Sequence, residues 1–97
     1  MDGRYAGVSG TLALHVTIGR RGVRADVFRG GVRVTSVRTR KAIERLPGRW
    51  PTGVGWLAVT PVGEDLLVTL RMDRLVGRLP PRCELVFPVG RITSSCP

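Results

Sequence analysis

Asparagine and glutamine are absent from this 97-residue chain, and lysine occurs once, as Lys41. Without the two amides the usual bidentate readers of adenine are missing, so any nucleic-acid contact would rest on backbone and shape. Histidine also occurs once, as His15, and cysteine twice, as Cys83 and Cys96. One imidazole and two separated thiols do not make a four-ligand metal set, and no cofactor is expected. Two cysteines are far fewer than a disulfide-built secreted scaffold carries, so both are expected as free thiols, with Cys83 in the core. Aromatics make up 5% of the chain, too few for a binder that stacks several bases. No apolar run approaches the ~18 residues of a membrane-spanning helix. The opening residues, Met1 to Tyr5, lack the basic-then-apolar build of a signal peptide. A cytoplasmic or particle-associated location is expected, with no membrane partner and no small-molecule substrate.

What is abundant is arginine, which supplies fifteen of the 16 basic residues against 7 acids, for a net charge of +9. Hydrophobic residues at 42% and charged residues at 24% describe a chain that folds, and the length fits one domain. The charge is lopsided. Residues 1–49 hold eleven basic residues and three acids, a net of +8, whereas residues 50–97 hold five and four, a net of +1. A guanidinium offers planar, forked donors that match phosphates and carboxylates.

The dominant period is two, the signature of half-buried strands. After an N-terminal arm, 1–11, the apolar residues Leu12, Leu14, Val16 and Ile18 alternate with Ala13, His15 and Thr17. Val23, Ala25 and Val27 do the same against Arg24, Asp26 and Phe28, and residues 32–38 read as a third strand. A turn on Arg20-Arg21 pairs Ile18 with Val23, Val16 with Ala25 and Leu14 with Val27. A turn on Gly30-Gly31, which suits the positive φ of primed turns, pairs Val27 with Val34 and Ala25 with Ser36. Both place the same apolar set on one face of a three-stranded meander, 12–38. Residues 39–46 change pattern: Ala42, Ile43 and Leu46 fit one helical face, and Pro47-Gly48 ends it. A Gly/Pro-rich loop follows. A second β unit, 56–92, has Leu57 and Val59 sharing a face with Leu66, Val68, Leu70 and Met72. Its last strand, 83–89, is expected at a sheet edge because of Pro88, before a tail, 93–97. The expected fold is mainly β, a small barrel or sandwich of about six strands with one short helix between the third and fourth. At the level of architecture this order resembles the OB-fold; an SH3-like barrel or a small sandwich fits nearly as well.

Four constellations bear on chemistry. Arg20, Arg21, Arg24, Arg29, Arg33, Arg38, Arg40 and Lys41 form a basic stretch, and the register sets Phe28 across from Arg33. This is a candidate contact surface for nucleic acid or another polyanion, with Phe28 as a stacking platform. The plainer reading is a solvated β face on which arginine stems cover an aromatic ring. His15 falls opposite Asp26, with Thr35 next in the row; lacking a nucleophile and a pocket, the pair reads as a cross-strand polar contact rather than half a catalytic triad. Gly53-Val54-Gly55 begins a dinucleotide-like spacing, but no strand precedes it and no helix follows, so that reading is rejected. Finally, Trp56, Val62 and Leu67 are left off the core face; either the helix or the strand 83–89 covers them, or they form a protein interface with Trp56 and the loop residue Trp50 as anchors.

Two functional classes remain. The first is a non-enzymatic structural or assembly subunit packed in a larger particle, such as a virion or phage component, with other protein subunits as partners and its Arg-rich face toward nucleic acid or acidic protein. The second is a stand-alone OB-like nucleic-acid-binding module acting through phosphate contacts. The first is preferred because the second half is strongly apolar and base-reading amides are missing.

Overall fold

Alternating side chains and five two-residue turns build the fold. Eight strands follow in order: β1 (Gly3–Ser9), β2 (Leu12–Gly19), β3 (Gly22–Arg29), β4 (Val32–Arg38), β5 (Gly48–Thr52), β6 (Gly55–Val62), β7 (Asp65–Met72) and β8 (Glu84–Arg91). The structure is a computed structural model and describes residues 2–39, 41–76, 78, 79 and 81–92. Tight turns occupy residues 10–11, 20–21, 30–31, 53–54 and 63–64, between the terminal pairs of each hairpin. Gly30 and Gly31 have φ of 59° and 78°, the positive values of a primed turn whose twist matches the flanking strands.

All pairings are antiparallel, and the spatial order is β4-β3-β2-β1-β8-β7-β6-β5. Every strand therefore lies beside its sequence neighbour, and β1 closes against β8. The exception is β4 and β5, the two edges. The sheet curls into a half-barrel whose opening lies between them, bridged at one corner by Thr39 and Thr52. The concave side is filled by Leu14, Val16, Val27, Leu57, Val68, Phe87 and their neighbours, all nearly or wholly inaccessible. Burying such residues stabilises the fold by about 1.5–3 kcal/mol each. The Thr39 hydroxyl accepts the Val23 N–H at 2.9 Å, and the Thr39 N–H donates to the Val23 carbonyl at 3.0 Å, fixing the end of β4.

The β2–β3 register is the one expected: Ile18 with Val23, Val16 with Ala25, Leu14 with Val27. The β3–β4 register departs from expectation. A bulge between Val27 and Phe28 leaves Phe28 opposite Arg33 but moves Val27 to Thr35, Ala25 to Val37 and Arg24 to Arg38. Val34 becomes the extra residue, partly buried against the core. The slip keeps Val37 inside, where the unbulged register would have left Ser36 facing Ala25.

Four further expectations are corrected. The described residues form eight strands, not about six, because the supposed arm holds β1 and the Gly/Pro-rich loop holds β5. No helix occurs among the described residues; Ile43 and Leu46 do pack on the core, but from an irregular segment, since two turns without a capping box form too little helix to persist. The up-and-down strand order without that helix also sets aside the OB-like arrangement. Strand β8 is central, between β1 and β7. Pro88 is accommodated because the β1–β8 ladder spans only Tyr5–Arg91 and Ala6–Gly90; the proline, with no N–H to give, lies just past it. Gly7 packs there so closely on the Pro88 carbonyl that a Cβ would strike it.

Candidate polyanion-contact face

Three rows of side chains cross the convex face of β1 to β4. The first is Arg4, Thr17, Arg24 and Arg38; the second is Ala6, His15, Asp26 and Ser36; the third is Val8, Ala13, Phe28 and Arg33. The β2–β3 turn carries Arg20 and Arg21 beyond the first row. Two adjoining depressions follow. One is lined by Arg20, Arg21, Arg24 and Arg38 with Thr17 and Thr39. The other is lined by Arg24, Arg33, Arg38 and Ser36 with Gly53 and Val54 from the β5–β6 turn. Five of the predicted contact residues thus converge at the β4 edge, with Arg24 and Arg38 common to both depressions.

The electrostatics there are unbalanced. The Arg24 Nε donates to Asp26 Oδ1 at 3.2 Å, with the aspartate side chain mostly shielded. Arg38, directly opposite Arg24, has no carboxylate within ion-pair distance among the described residues. Like charges facing each other across two strands are destabilising by roughly 0.2–1 kcal/mol. An anion held between the two guanidiniums would reverse the sign of that term.

Of the remaining candidates Phe28 stays opposite Arg33, and the others lie apart. Arg29 is exposed at the opposite end of β3, facing Val32. Lys41 lies past β4 and lines shallow grooves with Trp50 on the other side of the opening. Arg40 lies outside the described residues. Phe28 is half-buried and packs against His15, with ring centroids 5.1 Å apart and planes at 56°. Although His15 does face Asp26, Ser36 rather than Thr35 completes that row, and no hydrogen bond joins the histidine to the aspartate. Gly53 and Val54 form a hairpin turn, in which the Val54 N–H donates to Thr52 Oγ1 at 3.3 Å.

Three of the interface candidates, Trp56, Val62 and Leu67, share the convex face of β6 and β7, spread along it, whereas Trp50 is on the concave side. Trp50 lies against Gly48 and packs partly on the core beside the β4–β5 opening. Trp56 is on the convex face, where the Arg49 guanidinium covers its ring at 3.9 Å. Val62 is 57% exposed at the far end of β6, about 20 Å along the strand from Trp56 at ~3.3 Å per residue. Leu67 is half-buried on β7, between Thr60 and Pro88. Cys83 is exposed, not a core residue, because it belongs to the β7–β8 connection, where Leu79 takes the buried position. Cys96 lies outside the described residues.

Arg4 was missed. It joins the basic row only because β1 pairs with β2, and β1 shows little apolar alternation: its inward residues are Gly3, Tyr5 and Gly7. The Gly10-Thr11 turn signal ahead of Leu12 was the clue available. Among the described residues no three His, Cys, Asp or Glu side chains gather as metal ligands would. What the face offers is forked hydrogen-bond donors for phosphate or carboxylate oxygens. In comparisons with known proteins the chain matches no family model, no curated protein and no solved structure.

Proposed function

We propose that this protein is a non-enzymatic structural subunit of a larger assembly, such as a virion- or phage-like particle, and that its β4-edge arginines contact an acidic protein or nucleic acid there. The observation that carries this reading is the placement of Arg24 opposite Arg38, with Arg20, Arg21 and Arg33 around them and one carboxylate, Asp26, to offset the group. Arginines serving solubility alone would be better spread, since charge clustering raises self-repulsion. Exposed apolar side chains elsewhere on the convex side, Val8, Val62 and Val86, supply surface for neighbouring subunits.

A second reading has one observation in its favour. Phe28 lies half-buried beside Arg33, the pairing of base-stacking ring and phosphate-binding cation used by single-strand binders. It describes a stand-alone nucleic-acid-binding module. Sedimentation velocity of the purified chain, with and without a poly-dT strand over a salt series, separates the two. The assembly reading predicts species well above the 10.6 kDa monomer. A clean monomer that binds the strand at low salt and releases it steeply as salt rises would replace the first reading with the second.

A further inference from the structure

The edge of β4 is an unfinished ladder. The sheet ends at β4 on one side and β5 on the other, and the two are bridged only at Thr39 and Thr52 among the described residues. The Thr39 N–H turns inward to the Val23 carbonyl. Successive amides of an extended strand alternate in direction, so the main-chain groups of Arg38 and Ser36 turn outward, into the opening. An open cleft of about 600 Å³ lies against them, flanked by Arg24, Arg33, Arg38 and the β5–β6 turn.

We infer that this edge accepts an acidic extended segment of a partner protein as an added strand, with main-chain hydrogen bonds to Ser36 and Arg38 and alternate Asp or Glu side chains toward Arg24, Arg33 and Arg38. This rests on the reading of those arginines as a contact face and names the partner chemistry. Charge decides the occupant. A second copy docking β4 on β4 would set arginine rows against each other, a like-charge contact that specifies against pairing. The opposite edge is blunted differently. In the β5–β6 hairpin Thr52 pairs with Gly55, so the next residue, Pro51, has its ring nitrogen on the outer side and offers no donor. The β4 edge keeps its donors and surrounds them with cations, so it repels its own copies and receives an acidic strand. Strand addition of this kind draws affinity from the main chain and specificity from alternate side chains.

The test titrates the full chain with an acetylated, amidated peptide of about seven residues alternating Glu with Val and Thr. Its counterpart is N-methylated at every second amide, which keeps the charge and removes the donors. The two protein variants are Ser36→Pro, which deletes an outward N–H, and the double variant Arg33→Glu with Arg38→Glu. Circular dichroism checks that each variant is folded, and the methylated peptide tests the same point on the unmodified protein. Strand addition predicts that methylation and each variant weaken binding about tenfold or more. If the double variant weakens binding but methylation and Ser36→Pro do not, strand addition is overturned while the arginine contact face stands. If the unmodified chain ignores the peptide and binds only a poly-dT strand, the acidic-segment partner is overturned in favour of nucleic acid.

Discussion

Replacing Thr39 by valine keeps the volume and the β-branch and removes one hydroxyl. Thr39 is 6% exposed. Its Oγ1 accepts the Val23 N–H at 2.9 Å and donates to the Lys41 carbonyl at 3.3 Å. Val23 is itself buried, so the substitution strands a donor where water does not reach. An unsatisfied buried donor costs about 1–3 kcal/mol; the longer bond to Lys41, partly exposed, adds little. With a urea slope of roughly 1–3 kcal/mol per molar for a small domain, the unfolding midpoint falls by about 1 M. Thr39→Ser retains the hydroxyl and loses one methyl, so it costs about 1 kcal/mol. Equilibrium urea unfolding followed by tryptophan fluorescence measures both. A Thr39→Val midpoint equal to that of the unmodified chain would refute the assignment of this hydroxyl as the pin at the end of β4.

Three more outcomes follow from the same geometry. Arg38→Thr removes a like-charge neighbour of Arg24 and raises stability by about 0.2–1 kcal/mol; thermal melts at low salt read the gain, which shrinks as salt screens the pair. Gly7→Ala drives a Cβ into the Pro88 carbonyl, and this overpacking costs about 1–3 kcal/mol; an unchanged melt would mean that β1 and β8 pack less closely than described. Arg49→Ala uncovers the Trp56 ring, costs about 0.5–1 kcal/mol and makes tryptophan fluorescence more sensitive to acrylamide.

How far the sequence carried this account depends on where pattern and backbone diverge. The β2–β3 hairpin was legible because Leu14, Val16 and Ile18 face Val27, Ala25 and Val23, and a slip would bury polar side chains. The bulge in β4 was not, because a single extra residue leaves no mark when Val34, Thr35 and Val37 all suit a strand. Strands β1 and β5 were hidden for opposite reasons: β1 uses glycine where it approaches β8, and β5 is a five-residue edge containing Pro51. The segment 39–46 has helical spacing, yet its apolar side chains serve a different end, packing from irregular backbone onto the core. For the contact face, residue type was legible and grouping was not. Arg20, Arg21 and Arg24 were foreseen as neighbours, but the bulge sets Arg38 against Arg24, and Arg4 enters only through β1.

The proposed function requires that the arginines at the β4 edge act as a local contact surface and not as a share of the overall charge. Two triple variants of equal charge change test it by titration with poly-glutamate at fixed salt. One replaces Arg24, Arg33 and Arg38 with serine; the other replaces Arg74, Arg78 and Arg82, all exposed in the β7–β8 connection. At about 0.2–1 kcal/mol per exposed charge pair, removing the β4-edge set costs about 0.6–3 kcal/mol, a loss of about threefold to a hundredfold. A local contact face predicts that loss for the first variant and near-unmodified affinity for the second. Equal losses in both would contradict it.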